Sequence, residues 1–192
     1  MYYETDPQII SYVHDKLTTP KISSIFGWRE WVPGTSQDVS KFMIDYRATA
    51  AFGREVTIRE KVRSRTSPRV FSDFTMQYKD LNNPNKPTEF SIMKRTAEMF
   101  NEDYFLIHSC IDDGMILKRY AVIHLEKLFL NIDRGLIEID ETNNVSSKID
   151  GRIMYPSYEI NEEENMAYVS FNITYLKQKF AKDEIVVISD GY

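Results

Sequence analysis

Asp45, Glu60 and Lys61 are the residues of this chain whose types and spacing could do chemistry. Asp45 lies in a predicted strand, Lys41 to Ala51, and Glu60-Lys61 sits late in the next, Glu55 to Arg63, with Phe52-Gly53-Arg54 as the turn between them. Hydrolysis of a phosphodiester needs charge neutralised on the phosphate, an activated water and a stabilised leaving oxygen. A Mg²⁺ or Mn²⁺ ion held by one or two carboxylates serves all three. A lysine beside the ion can orient the water and offset the developing charge. Adjacent strands bring side chains within a few ångströms of each other, so Asp45 and Glu60 are candidate metal ligands and Lys61 a catalytic helper. The same three residues serve equally well as charges on an exposed hairpin.

The strand periodicity sets a condition on the catalytic reading. Val56, Ile58, Glu60 and Val62 alternate with Thr57, Arg59, Lys61 and Arg63, and neighbouring side chains of a regular strand face opposite ways. Glu60 and Lys61 share a site only if a β-bulge kinks the strand between them. Asp73, near the start of the third predicted strand, is a further candidate ligand. Arg59, Arg63, Arg65 and Arg69 are candidate phosphate contacts. From Arg54 to Arg69 six basic residues face only Glu55 and Glu60, a local excess of positive charge in a protein of net charge −5. Such a strip can direct a polyanion to one place on an otherwise repelling surface, although a solvated strand face accounts for the charge alone.

The elements that must position these residues follow from periodicity and punctuation. Asp6 to Leu17 reads as a helix stopped by Thr18-Thr19-Pro20, followed by a short apolar helix running into a turn at Pro33-Gly34. Val70 to Tyr78 is the third strand, and Lys79 to Pro87 is a long connection. Glu89 to Phe100 is a helix, with Glu89 and Lys94 as solvated charges beside the site. Tyr104 to Cys110 and Ile116 to His124 are strands around Asp112-Asp113-Gly114, and Leu125 to Leu130 is a short helix. Leu136 to Asp140 reads as a strand and Asp140 to Arg152 as a loop. Tyr168 to Phe171 is a strand running into a helix, Ile173 to Phe180, capped by Asn172. Ile185 to Ile188 closes the chain as an edge strand. Two strand-into-helix units, Tyr120 to Leu128 and Tyr168 to Leu176, suggest a shared sheet edge. The order implies an α/β or α+β fold with a mixed central sheet flanked by helices.

These elements and residues, from about Lys41 to Leu130, resemble the PD-(D/E)XK nuclease superfamily. The likeness is to its divergent phage-associated members, where Gln-Glu-Lys or Gln-Glu-Arg followed by Arg stands in place of Glu-X-Lys. Here the site reads Arg59-Glu60-Lys61-Val62-Arg63. The resemblance implies a restriction-endonuclease-like core, a C-terminal strand–helix extension over 131–192, and Mg²⁺- or Mn²⁺-dependent cleavage of DNA through Asp45, Glu60 and Lys61. The departure is Arg59, a cation where the family pattern has an acid. It opens the alternative of a catalytically inactive protein of this fold that binds nucleic acid or a host protein, with the acidic stretches Glu138 to Glu141 and Glu159 to Glu164 as a contact surface.

Composition bounds the rest. The 192 residues suffice for one domain, and 42% hydrophobic with 28% charged residues is ordinary for a globular chain. Aromatic residues at 13% argue against disorder. No run is long enough to span a bilayer, and the N-terminus lacks a signal-peptide pattern. One cysteine, Cys110, precludes an internal disulfide and fits the cytoplasm, the host's if the chain is phage-encoded. His14, His108 and His124 show no metal-ligand spacing, and there is no nucleophile elbow or glycine-rich phosphate loop. Whether the chain forms a homodimer is open at this level.

Overall fold

The computed structural model describes residues 7–64, 73–100, 103–142 and 156–192. Its centre is a six-stranded mixed sheet in the order β1-β2-β3-β5-β6-β9. The strands are β1 (Arg29–Pro33), β2 (Tyr46–Thr49), β3 (Glu55–Ser64), β5 (Tyr104–Ile111), β6 (Leu117–His124) and β9 (Val186–Asp190). Among the described strands only the β3/β5 pair is parallel. A second, antiparallel sheet has the order β4-β8-β7, built from β4 (Asp73–Asp80), β7 (Ser157–Asn161) and β8 (Met166–Asn172). The architecture is the expected mixed sheet flanked by helices. The third predicted strand, however, leaves the central sheet for the second one. The two strand-into-helix units also part company, β6 in one sheet and β8 in the other.

The first helical region differs from expectation for a local reason. The α-helix α1 (Pro7–Val13) passes into a π-helical turn, His14–Thr18, and α2 (Thr19–Phe26) continues beyond it. Pro20 does not stop the helix: it lies in the first turn of α2, directly after the π-helical turn in which the Thr19 N–H bonds back to His14 O. Gly27 ends α2 with φ +68°, its N–H bonded to Ser23 O at 2.9 Å. What looks like a helix running into Pro33-Gly34 is then the edge strand β1, a place that tolerates Pro33. Lys41 to Ala51 shortens to β2, because a second π-helical turn, Asp38–Phe42, and Met43 at φ +53° precede it. Leu136 to Asp140 forms no strand, although Ile137 is buried.

Among the described residues three further α-helices follow: α3 (Glu89–Phe100), α4 (Leu125–Asp133) and α5 (Ile173–Lys179). As expected, Asn172 caps α5, its side chain accepting from the Tyr175 N–H at 2.8 Å. Alternation along the central strands feeds two cores. Tyr104, Leu106, Ala121 and Ile123 pack with Met93 and Ala97 of α3, Leu128 of α4, Leu176 of α5, and Phe74, Met76, Val169 and Phe171 of the second sheet. On the opposite face Val56, Ile58, Phe105, Ile107 and Val122 pack with Ile22 and Trp28. The C-terminal strands are woven into this frame: β8 pairs with β4, and β9 with β6. Among the described residues no helix is long and apolar enough to cross a membrane.

Candidate functional site

Asp45 is held just ahead of β2 by the backbone. Its N–H bonds to Ile58 O at 2.8 Å, and its carbonyl accepts from the Gly34 N–H at 2.7 Å. Gly34 is required there, since a Cβ would come within 2.5 Å of Ile44 O. The β2/β3 register, Tyr46 opposite Ile58, continues to set Asp45 across from Arg59. Arg59 Nη1 donates to Asp45 Oδ1 at 2.8 Å, while the Glu60 N–H donates to Asp45 Oδ2 at 2.8 Å.

Lys61 shares this face with Arg59, two residues along β3. Its Nζ lies 2.7 Å from Glu89 Oε1 and donates to Thr75 O at 2.6 Å. Glu89 opens α3 and also faces Arg59 Nη2 at 3.4 Å and the Gln77 N–H at 3.4 Å. The structure therefore joins Asp45, Arg59, Glu89 and Lys61 into a network of two anions and two cations. Burial alone would raise the pKa of Glu89, but Lys61 and Arg59 outweigh it and hold the carboxyl below its ordinary range. Burial lowers the pKa of Lys61, with Glu89 opposing. Burial would also lower Arg59, yet Asp45 and Glu89 raise it.

Glu60 is not part of this group. No bulge interrupts β3: its pairing with β5 runs without a shift from Thr57↔Tyr104 to Ser64↔Ile111. Glu60 therefore points through the sheet to the other face, against the helical layer. Its side chain is 1% exposed, and its Oε2 lies 2.7 Å from His14 Nδ1. His14, the first residue of the π-helical turn, stacks on Tyr46 with centroids 3.5 Å apart, and its Nε2 lies 3.1 Å from Thr19 Oγ1. Glu60 Oε1 is buried with no hydrogen-bond partner among the described residues. The kink that would gather Glu60, Lys61 and Asp45 is absent, so Glu60 is withdrawn from the candidate ligands.

The remaining candidates separate. Asp73 begins β4, and burial raises its pKa with Arg63 opposing, so its charged neighbour is Arg63. Arg63 Nη2 donates to Thr75 Oγ1 at 3.0 Å, and that oxygen lies 2.7 Å from Ser170 Oγ. Arg65 and Arg69 lie outside the described residues. Lys94 pairs with Asp133 on α4. Glu89 is the residue that sequence reasoning placed in solvent. The available signal was its position at the head of α3, a helix already expected beside the site. His108 is buried and its pKa is pushed down by burial, with Arg63 and Lys61 adding to the effect.

A divalent ion here would need open carboxylate oxygens from Asp45 and Glu89. All four already accept from N–H groups: Asp45 from Arg59 and the Glu60 amide, Glu89 from Lys61, Arg59 and the Gln77 amide. As arranged, a guanidinium lies between the two acids, and a Mg²⁺ or Mn²⁺ ion bridging them would have to displace it. Among the described residues no group of three or more His, Cys, Asp or Glu could hold a metal. In comparisons of the sequence, no protein-family model matches and no curated protein matches.

Proposed function

We propose that this chain is a binding protein on a nuclease-like core, directed to DNA and acting without cleaving it. The observation that carries this is the Arg59 guanidinium lying between Asp45 and Glu89, 2.8 Å from one carboxylate and 3.4 Å from the other. An internal cation with a pKa raised by both acids stays charged at any physiological pH. The acids are thereby neutralised and the network braces β3 against α3 and β4. The basic side of β3 continues outward to Arg63, whose register neighbours are Cys110 and then Arg119, and the sequence goes on to Arg65 and Arg69. That end of the sheet is where a phosphate backbone would be met.

The test pairs a cleavage assay with a gel shift. Duplex DNA is incubated with the protein in Mg²⁺ or Mn²⁺, beside Asp45→Ala, Lys61→Ala and Arg63→Ala variants. The expected result is a salt-sensitive shift without cleavage, weakened in Arg63→Ala with a salt slope smaller by about one. Cleavage abolished by both Asp45→Ala and Lys61→Ala would overturn the non-catalytic reading. No shift at low salt would remove DNA and favour a host protein as the partner.

A further inference from the structure

Phe52 stands at the tip of the hairpin between β2 and β3 with its ring in solvent. Its relative exposure is 106%, while the other exposed large hydrophobic residues among those described lie between 39% and 55%. One apolar side chain on a surface is ordinary; the backbone beneath this one is not. Phe52 has φ +61° and Gly53 φ +75°, two consecutive left-handed residues of the kind that favour Asn-Gly at a tight hairpin turn. Gly53 suits that conformation, whereas the Cβ of Phe52 makes it strained. Fully exposed, the ring gains no packing within its own chain to offset the strain.

The tip is held stiffly. The Ala50 N–H bonds to Arg54 O at 2.7 Å, Arg54 Nε lies 3.0 Å from Asp103 Oδ1 just ahead of β5, and Arg47 pairs with Glu55 of β3. Thr49 Oγ1 donates to Glu30 Oε2 at 2.8 Å and ties in β1. Ala51 and Gly53 are small and exposed, which leaves the ring open on either side. An aromatic ring on so ordered a support loses little freedom when a partner buries it.

The surrounding charges select that partner. Arg29, Arg47 and Arg54 stand against Glu30, Glu55 and Asp103, three of each sign. With no net charge the patch draws neither a phosphate backbone nor an anionic bilayer. It is matched to itself. A contact across a twofold axis sets a patch against its own copy, and a charged patch suits that only if it carries both signs. Arg54 and Glu55 supply them, consecutive residues directly after the turn with side chains 58% and 62% exposed. Arg29 and Glu30 on the neighbouring edge strand repeat the pair. We infer that the hairpin tip is the contact for a second copy of this chain, with the two Phe52 rings buried against each other at the axis and Arg54 of each copy facing Glu55 of the other. The tip and Arg63 lie at opposite ends of β3, about 30 Å apart along a ten-residue strand, so this pairing leaves the proposed DNA end free.

Sedimentation velocity of the full chain over about a thousandfold range of concentration tests this. The expected result is a monomer when dilute and a dimer when concentrated, because two hairpin tips bury less area than a permanent interface needs. Phe52→Gly and Phe52→Asn should each weaken the association at least about tenfold. Both residues suit the turn, so these variants keep the fold, checked by circular dichroism. Arg54→Glu leaves the patch net negative and Glu55→Arg leaves it net positive. Each should stay monomeric where the native chain dimerises, and an equimolar mixture of the two should form the heterodimer. A native chain that is monomeric throughout, or a Phe52→Gly variant that dimerises as the native chain does, would overturn the inference. So would self-association of either charge variant at native strength. The readout contains no DNA, so its outcome is separate from that of the DNA proposal.

Discussion

Glu60 and Lys61 are consecutive residues whose side chains meet their partners on opposite sides of one sheet, Glu60 at 2.7 Å from His14 Nδ1 and Lys61 at 2.7 Å from Glu89 Oε1. Each pair ties a different layer to β3. The His14–Glu60 pair is the more enclosed, so its loss should be felt in stability. Glu60→Ala is expected to cost about 3 kcal/mol, because it leaves His14 buried with its Nδ1 partner gone. Urea denaturation measures this, and a loss below about 1 kcal/mol would mean the pair contributes little.

Divalent ions offer a second check. With every oxygen of Asp45 and Glu89 already accepting, about 10 mM Mg²⁺ should move the melting temperature of the native chain by less than about 1 °C. Arg59→Ala frees the two acids from their guanidinium, and the same Mg²⁺ should then stabilise the variant by several degrees. Thermal unfolding with and without the ion reads both. A large shift in the native chain would show that Arg59 yields its place to a metal.

Acid should act on a third contact. The Arg47 hydrogen bond, against burial and with help from Thr35, brings the Asp38 carboxyl down to about 2. A carboxyl depressed in the folded state contributes stability that is complete above its ordinary value of 3.8 and lost as the pH falls toward 2. Asp38→Asn should therefore flatten the stability profile between about pH 4 and 2 while lowering stability at neutral pH. Urea midpoints at stepped pH values decide it, and parallel profiles for the two proteins would refute the assignment.

The tip of the β2–β3 hairpin predicts a gain. Phe52 is fully exposed and has φ +61°, a left-handed conformation that costs a residue with a Cβ roughly 1 kcal/mol. Phe52→Gly or Phe52→Asn should raise stability by about 0.5–1 kcal/mol, since no packing is lost. A drop in melting temperature for both variants would reveal a contact that the exposed ring does not suggest.

Much of the fold was legible because β3, α3, β5 and β6 carry strong, uninterrupted periodicity. The alternation Val56-Ile58-Glu60-Val62 against Thr57-Arg59-Lys61-Arg63 already separated Glu60 from Lys61, and the structure keeps that separation. What escaped the sequence was set by distant contacts. Glu89 reads as a solvated helix charge until β3 places Lys61 and Arg59 against it. The strand β1 is short, ends in Pro33 and has a shifted register between Arg29 and Val32, so its alternation is too brief to register. The π-helical turn at His14–Thr18 interrupts a helical stripe that looks continuous, and it sets His14 against the buried Glu60.

The strand β4 carries a consequence for how the molecule comes together. Among the described residues its only sheet partner is β8, with Asp73 opposite Asn172, so on the order of 100 residues must be gathered before its ladder can close. The hairpin of β2 and β3 needs no such wait. Assembly should therefore proceed from the local hairpins to a late clasp by β8, and until that clasp forms β4 is an exposed, apolar edge prone to misassociation.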